Sequence, residues 1–168
     1  MQEADRLLTT RFEEAFDEFL EPIYRYFYYR INDRDRAKDL AQETFMRAWD
    51  YARSGKEIGT MKPFLYTTAG NLFKNELRTK GRSVSLDTMQ EGGFEIADEE
   101  TSPEERIEAK LLMEKLPKLP PRYQEVLRLR YVDGLSPQEI GTVLGERSTT
   151  VSVRLHRALQ KLRKLHES

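Results

Sequence analysis

The chain contains no cysteine, which excludes disulfides, thiol redox sensing and cysteine-based zinc sites. Histidine is almost as scarce. His156 and His166 have no carboxylate cluster beside them, so no metal is expected. No apolar run approaches membrane-spanning length, and Glu3 and Asp5 sit where an export signal would be basic and then apolar. A soluble cytoplasmic protein without membrane insertion is the expectation. Also missing are a glycine-rich phosphate loop, a cysteine nucleophile and any His–carboxylate arrangement able to activate a serine. Neither catalytic residues nor a cofactor are therefore expected.

Charge, by contrast, is plentiful and unevenly placed. The 168 residues carry a net charge of −1, which says nothing about nucleic acid. Residues 1–82 are nearly neutral at +1, residues 83–108 carry −8, and residues 109–168 carry +6. An acidic strip between a neutral block and a basic block reads as two domains and a tether. The expected boundaries are 1–82, an acidic flexible linker at 83–101, and 102–168. The linker segment holds Gly92-Gly93 and few large apolar groups, a poor basis for a core.

Apolar periodicity in both blocks is helical, so the expected fold is all-α, two small helical domains. Phe12, Phe16, Phe19, Leu20, Ile23 and Phe27 form one stripe of a helix over about 10–30. A second helix, about Asp35 to Arg53, has the stripe Ala37, Leu40, Ala41, Thr44, Phe45, Ala48, Trp49 and Ala52. A third runs from Met61 to about Lys80, with a break expected near Gly70-Asn71. Ser102-Pro103-Glu104-Glu105 has the cap, proline and acidic first turn of a helix start, and Pro117, Pro120 and Pro121 separate the first two of four helices in the second domain.

The most informative stretch is Gly134 to Arg157. Ser136-Pro137 opens a short helix with Ile140, Val143 and Leu144 as its apolar stripe; Gly145 ends it, and Ser148 is placed to cap the next. In that next helix Val151, Leu155, Ala158, Leu162 and Leu165 recur at helical spacing, and the opposite face is polar and basic. From Arg147 to Lys164 there are six basic residues and no acidic one, so ion pairs within the helix do not explain the face. Val153 projects from this polar face, misplaced for solvation but suited to a thymine methyl. Together these features describe a helix-turn-helix whose second helix enters a DNA major groove.

Two further faces are candidates for binding, although a solvated acidic face on the second helix and a mixed amphipathic third helix with core aromatics describe the same residues. The outer side of the second helix presents Asp39, Gln42, Glu43, Met46 and Asp50, and an adaptable apolar side chain amid carboxylates marks a protein-docking face. The third helix groups Thr67, Asn71, Lys74, Asn75 and Arg78, interleaved with Phe64, Tyr66 and Phe73. Amides, cations and rings in this arrangement suit a single strand, whose phosphates take the cations and whose unstacked bases take amide edges or ring faces.

In this order, and over nearly the entire length, the stretches resemble bacterial sigma factors of the extracytoplasmic-function group. Asp39-Leu-Ala-Gln-Glu-Thr-Phe-Met-Arg-Ala-Trp49 is similar to the family's region 2.2. Phe64-Leu-Tyr66, Ala69-Gly-Asn71 and Lys74-Asn-Glu-Leu-Arg78 are similar to regions 2.3 and 2.4, and Leu119 to Tyr131 with the helix-turn-helix to region 4. The resemblance implies that Asp39, Leu40, Gln42, Glu43, Met46, Arg47 and Trp49 dock on the β′ clamp helices of core RNA polymerase. It implies that Phe64, Tyr66, Asn71, Lys74, Asn75 and Arg78 read the promoter's minus-ten element. Arg147, Ser148, Thr149, Thr150, Ser152, Val153, Arg154, His156, Arg157 and Lys161 would read the minus-thirty-five element, while region 4 also touches the β flap. An anti-sigma factor is the further partner implied. Departures from the family pattern are Phe64 in place of Trp, Thr67-Thr68 in place of Arg-Ile, Asn75 in place of Asp, and Glu146 where an apolar residue usually follows the glycine. Two alternatives stay open at this point: a free-standing helix-turn-helix regulator, and an inactive sigma-like protein that titrates polymerase or an anti-sigma factor.

Overall fold

The structure, a computed structural model, describes residues 2–80, 103–104, 110–111 and 113–167. Among these residues there is no strand. The chain divides into two compact units, Met1–Ser85 and Leu86–Ser168. The expected linker at 83–101 lies outside the described residues, as do Ser102 and Glu105 of the expected helix start.

The first unit is three helices: α1 (Gln2–Ile31), α2 (Arg34–Arg53) and α3 (Met61–Thr79). α1 begins earlier than its apolar stripe predicts, because the polar turns before Phe12 propagate the helix without contributing to the core. Asp33 caps α2, its side chain accepting from the Arg36 amide. The core is built from Phe12, Ala15, Ile23 and Phe27 of α1, Ala37, Leu40, Ala41, Phe45 and Ala48 of α2, and Leu65, Tyr66, Ala69 and Leu72 of α3. Phe19 and Leu20 are only half-buried and Phe16 is 40% exposed, so the α1 stripe is narrower than expected.

α3 is continuous through Gly70-Asn71, which corrects the expected break. Buried residues on both sides of the glycine, Tyr66 and Ala69 before it and Leu72 and Glu76 after it, hold the helix in one piece at a cost of roughly 1 kcal/mol for the glycine. Glu76 is a buried carboxylate that accepts from Arg36 of α2 and lies 3.8 Å from the Lys80 ammonium. The Arg36 bond raises that guanidinium's pKa above its ordinary value. Buried charge is tolerated here because it is paired across two helices.

In the second unit a 3₁₀ turn, Leu116–Lys118, leads into α4 (Pro121–Leu127), which continues as a π-helical turn over Arg128–Val132. Then come α5 (Pro137–Leu144) and α6 (Ser148–Glu167). Ser136 caps α5 in a capping box with Glu139. Gly145 ends it at φ 70°, in the left-handed region that favours glycine. Ser148 is the first helical residue of α6 and not its cap: the Val151 amide donates to the Arg147 carbonyl at 3.1 Å.

One glycine acts through closeness. A Cβ on Gly141 would lie 2.6 Å from the Glu146 carbonyl oxygen, so the turn is seated directly on α5. Gly141→Ala is therefore expected to lower the stability of the second unit by about 1–3 kcal/mol, because backbone must move to admit the methyl. Urea unfolding followed by far-UV circular dichroism would show this as a lower midpoint. The transition followed at Trp49, which belongs to the first unit, should stay where it is.

Candidate functional site

α6 is fastened by Val151, Leu155, Ala158 and Leu162, all buried, so its opposite face is fixed in direction. Arg147, Ser148, Thr149, Thr150, Ser152, Val153, His156, Arg157 and Lys161 are exposed there, and Val153 keeps 50% of its surface in solvent. Hydroxyls, an imidazole and guanidinium donors with one small apolar group can address phosphates and base edges together.

Arg154 departs from that set. It is half-buried, and its Nη2 lies 2.8 Å from Oε2 of Glu146. Counting charge from Arg147 to Lys164 misses this pair, because the tight turn folds the preceding residue back along the helix. Lys161 also has a partner, its ammonium standing 5.0 Å from the Tyr123 ring centroid. Arg122 lies 4.9 Å from the same centroid and donates to the Tyr123 hydroxyl at 3.3 Å. Arg122 and Tyr123 of α4, with Thr149, Val153, Arg154 and Arg157 of α6, line a cleft of 370 Å³. The stretch Leu119 to Tyr131 resembles region 4 as a whole, but the place of Arg122 and Tyr123 beside α6 comes from packing between helices and is not visible in it.

In the first unit, Asp39, Gln42, Met46 and Asp50 are exposed on α2, and Met46 is 65% exposed. Arg47 is exposed too and pairs with the half-buried Glu43 at 3.0 Å. Leu40 does not belong to this face. It is 1% exposed and packs inward, since it lies on the same side of the helix as Ala37, Ala41 and Thr44. Trp49 is half-buried, edge-on to Phe12 at 5.1 Å, and forms one wall of a groove between α1 and α2. Phe12, Phe16, Phe45 and Met46 complete the apolar lining of its 510 Å³, while Glu13 and Asp17 bring carboxylates to it. The sequence stripe assigned Phe16 to the core, and so missed this groove.

On α3, Asn71, Lys74, Asn75 and Arg78 are exposed along one side. Arg78 Nη2 donates to Asn75 Oδ1 at 2.8 Å. Tyr66 is a correction to the expected set: it is 1% exposed and its ring meets Tyr26 edge-on at 5.7 Å, so it supports α3 from inside. Phe64 is half-buried against Tyr51 at 4.9 Å, with part of its surface left in solvent. Thr67 and Thr68 turn their hydroxyls back to the Pro63 and Phe64 carbonyls, which satisfies both within the helix.

Among the described residues no group of three or more His, Asp or Glu could hold a metal ion, and no helix is long and apolar enough to cross a membrane.

The first unit is thus a three-helix bundle with an acidic apolar groove, and the second ends in a helix-turn-helix with a cationic outer face. Residues 15–83 match the family model for sigma-70 region 2, and residues 109–162 that for sigma-70 region 4. The ECF RNA polymerase sigma factor SigW of Bacillus subtilis is 31% identical over 163 residues, covering 91% of this chain and 87% of that protein. SigE of Mycolicibacterium smegmatis, also an ECF RNA polymerase sigma factor, is 30% identical over 164 residues, covering 95% of this chain. The chain spans 63% of the length of that SigE and 60% of Streptomyces coelicolor BldN. The chain belongs to the extracytoplasmic-function group of the sigma-70 family. Two solved structures share its fold. The sigma factor RpoE from Bartonella quintana, in complex with the anti-sigma factor NepR, has a TM-score of 0.62 at 23% identity, covering 94% of this chain and 97% of that one. CnrH in complex with the cytosolic domain of CnrY has a TM-score of 0.58 at 22% identity, covering 98% and 97%.

Proposed function

We propose that the protein is a transcription initiation factor with no catalytic residues of its own, which binds core RNA polymerase and directs it to specific promoters. The observation that carries this reading is the pair of exposed, DNA-suited faces held on separate units. One is the hydroxyl and guanidinium face of α6 and the other the Asn71–Arg78 side of α3. α6 reads the minus-thirty-five element through Ser152, Val153, His156 and Arg157, while Arg147 and Lys161 hold phosphates. α3 captures an unpaired minus-ten base near Asn71, with Lys74, Asn75 and Arg78 on the strand. Core polymerase docks on the Asp39, Gln42, Glu43, Met46 and Arg47 face of α2. An anti-sigma factor is the second protein partner, and the α1–α2 groove offers the kind of apolar surface that an amphipathic helix covers.

In vitro transcription with purified core enzyme and a promoter library tests the reading. Promoter-specific transcripts that require the chain support it. DNA binding without such transcripts points to a free-standing regulator, and binding to polymerase without transcripts to an inactive titrating protein. The free chain itself is expected to bind duplex DNA only weakly near physiological salt. Its second segment carries −8 and its third +6, so intramolecular charge competes with phosphate. A gel shift showing tight, sequence-specific binding by the chain alone would favour the regulator.

A further inference from the structure

The cleft between α4 and α6 is lined by three guanidinium groups, from Arg122, Arg154 and Arg157, and two hydroxyls, from Thr149 and Thr150, with no carboxylate on its walls. Guanidinium groups pair with phosphate oxygens through parallel N–H donors, and hydroxyls donate to the same oxygens. A single base edge has no use for three cations converging on one space, whereas a backbone phosphate does. Arg122 is held ready for it, stacked on the buried Tyr123 ring and donating to its hydroxyl. Less ordering entropy is lost when such a side chain binds.

Arg154 is different, because its Nη2 is already engaged by Glu146 at 2.8 Å. The backbone of Glu146 is fixed against α5. Its amide donates to the Gly141 carbonyl at 2.8 Å, and its own carbonyl lies so close over Gly141 that no side chain fits between. Through its pair with Arg154 the carboxylate stands beside the cleft and offsets the charge of one of its three cations.

We propose that this cleft seats a DNA backbone phosphate next to the bases addressed by α6, and that Glu146 competes with that phosphate for Arg154, holding the affinity of the site down. The inference rests on the reading of α6 as a duplex-binding helix. Arg122, outside the helix-turn-helix proper, then becomes a positioning residue that fixes where α6 sits along the duplex. Glu146 becomes the residue that sets how firmly it sits.

The test uses the full chain reconstituted with core polymerase and a promoter duplex selected from a library, with affinity measured across a salt series. Glu146→Gln keeps the shape and removes the charge. It is expected to tighten binding about threefold near physiological salt, the scale of one partly exposed ion pair. The slope of log affinity against log salt should steepen by about 0.9, the contribution of one more phosphate contact. In an Arg154→Gln background the Glu146→Gln gain should vanish, and Arg122→Gln alone should weaken binding about threefold. Unchanged or weaker binding by Glu146→Gln overturns the competition. The same gain in the Arg154→Gln background overturns it too, because plain repulsion of phosphate by Glu146 then accounts for the effect. No loss with Arg122→Gln overturns the seat. His156→Ala, at an exposed position of α6 that does not line the cleft, separates this proposal from the reading beneath it. If His156→Ala weakens binding while Glu146 and Arg122 are silent, only the phosphate seat fails. If His156→Ala is silent as well, the duplex-binding role of α6 fails with it.

Discussion

Leu40→Ala is expected to unfold the first unit, whereas Met46→Asp on the same helix should leave it folded and abolish most of its hold on core polymerase. Leu40 is 1% exposed at the centre of the α1–α2–α3 packing, and truncating a buried leucine costs about 2–5 kcal/mol in lost transfer energy and residual cavity. That is a large part of what a small helical unit has to lose. Met46 is 65% exposed, so its replacement opens no cavity. It does put a carboxylate on the apolar lining shared with Phe12, Phe16, Phe45 and Trp49, next to Glu13 and Asp17. Any partner that covers this groove must then desolvate a charge, which costs several kcal/mol unless a counter-charge is supplied. Urea unfolding monitored at Trp49 reports the first effect, and pull-down of core polymerase by the full chain reports the second. A Met46→Asp protein that is folded and binds polymerase as well as the parent would show that the docking face lies elsewhere.

Arg157→Ala and Asn71→Ala should damage promoter use in different ways. Arg157 is exposed on α6 one turn after Val153, and its guanidinium has the donor geometry for a guanine edge. Its loss is expected to cost about 1–3 kcal/mol of closed-complex binding and to relax preference in the minus-thirty-five region. Asn71 is exposed on α3, and its amide both donates and accepts. Its loss should leave closed-complex binding near normal, reduce strand opening, and relax preference at one minus-ten position. Permanganate footprinting measures opening, and library selection measures preference. If Asn71→Ala altered only minus-thirty-five preference, the assignment of faces to elements would be reversed.

The helices were legible because their apolar positions recur at helical spacing and their ends carry strong signals. Ser136-Pro137 at one end and Gly145 at the other specify α5 almost residue by residue. The exposed face of α6 was equally legible, since its buried stripe leaves only one direction for Ser152, Val153 and Arg157. Pairing between elements was not legible. The Glu146–Arg154 contact crosses a turn, the Arg122–Tyr123–Lys161 arrangement joins two helices, and the Arg36–Glu76 bond spans 40 positions. Motif boundaries also misled in two places. Leu40 and Tyr66 lie inside stretches similar to functional regions, yet both face inward, because a helical motif always includes the residues that anchor its back. Gly70 read as a break because glycine is a poor helix residue, but flanking core contacts outweighed its propensity.

The unbroken course of α3 makes that helix a ruler. Seven residues separate Asn71 from Arg78, which at the helical rise amounts to roughly 10 Å. Along one strand of a duplex nucleotides advance about 3.4 Å each, so this length matches about three nucleotides at that spacing. A break between Asn71 and Arg78 would have let the two ends of the face settle on strands of differing pitch. A rigid rod cannot, so a strand with one nucleotide inserted between its captured base and its gripped phosphates should be refused even when every base is correct. If α3 holds an opened strand as proposed, the spacing of that element, and not only its letters, is written into the backbone of the protein.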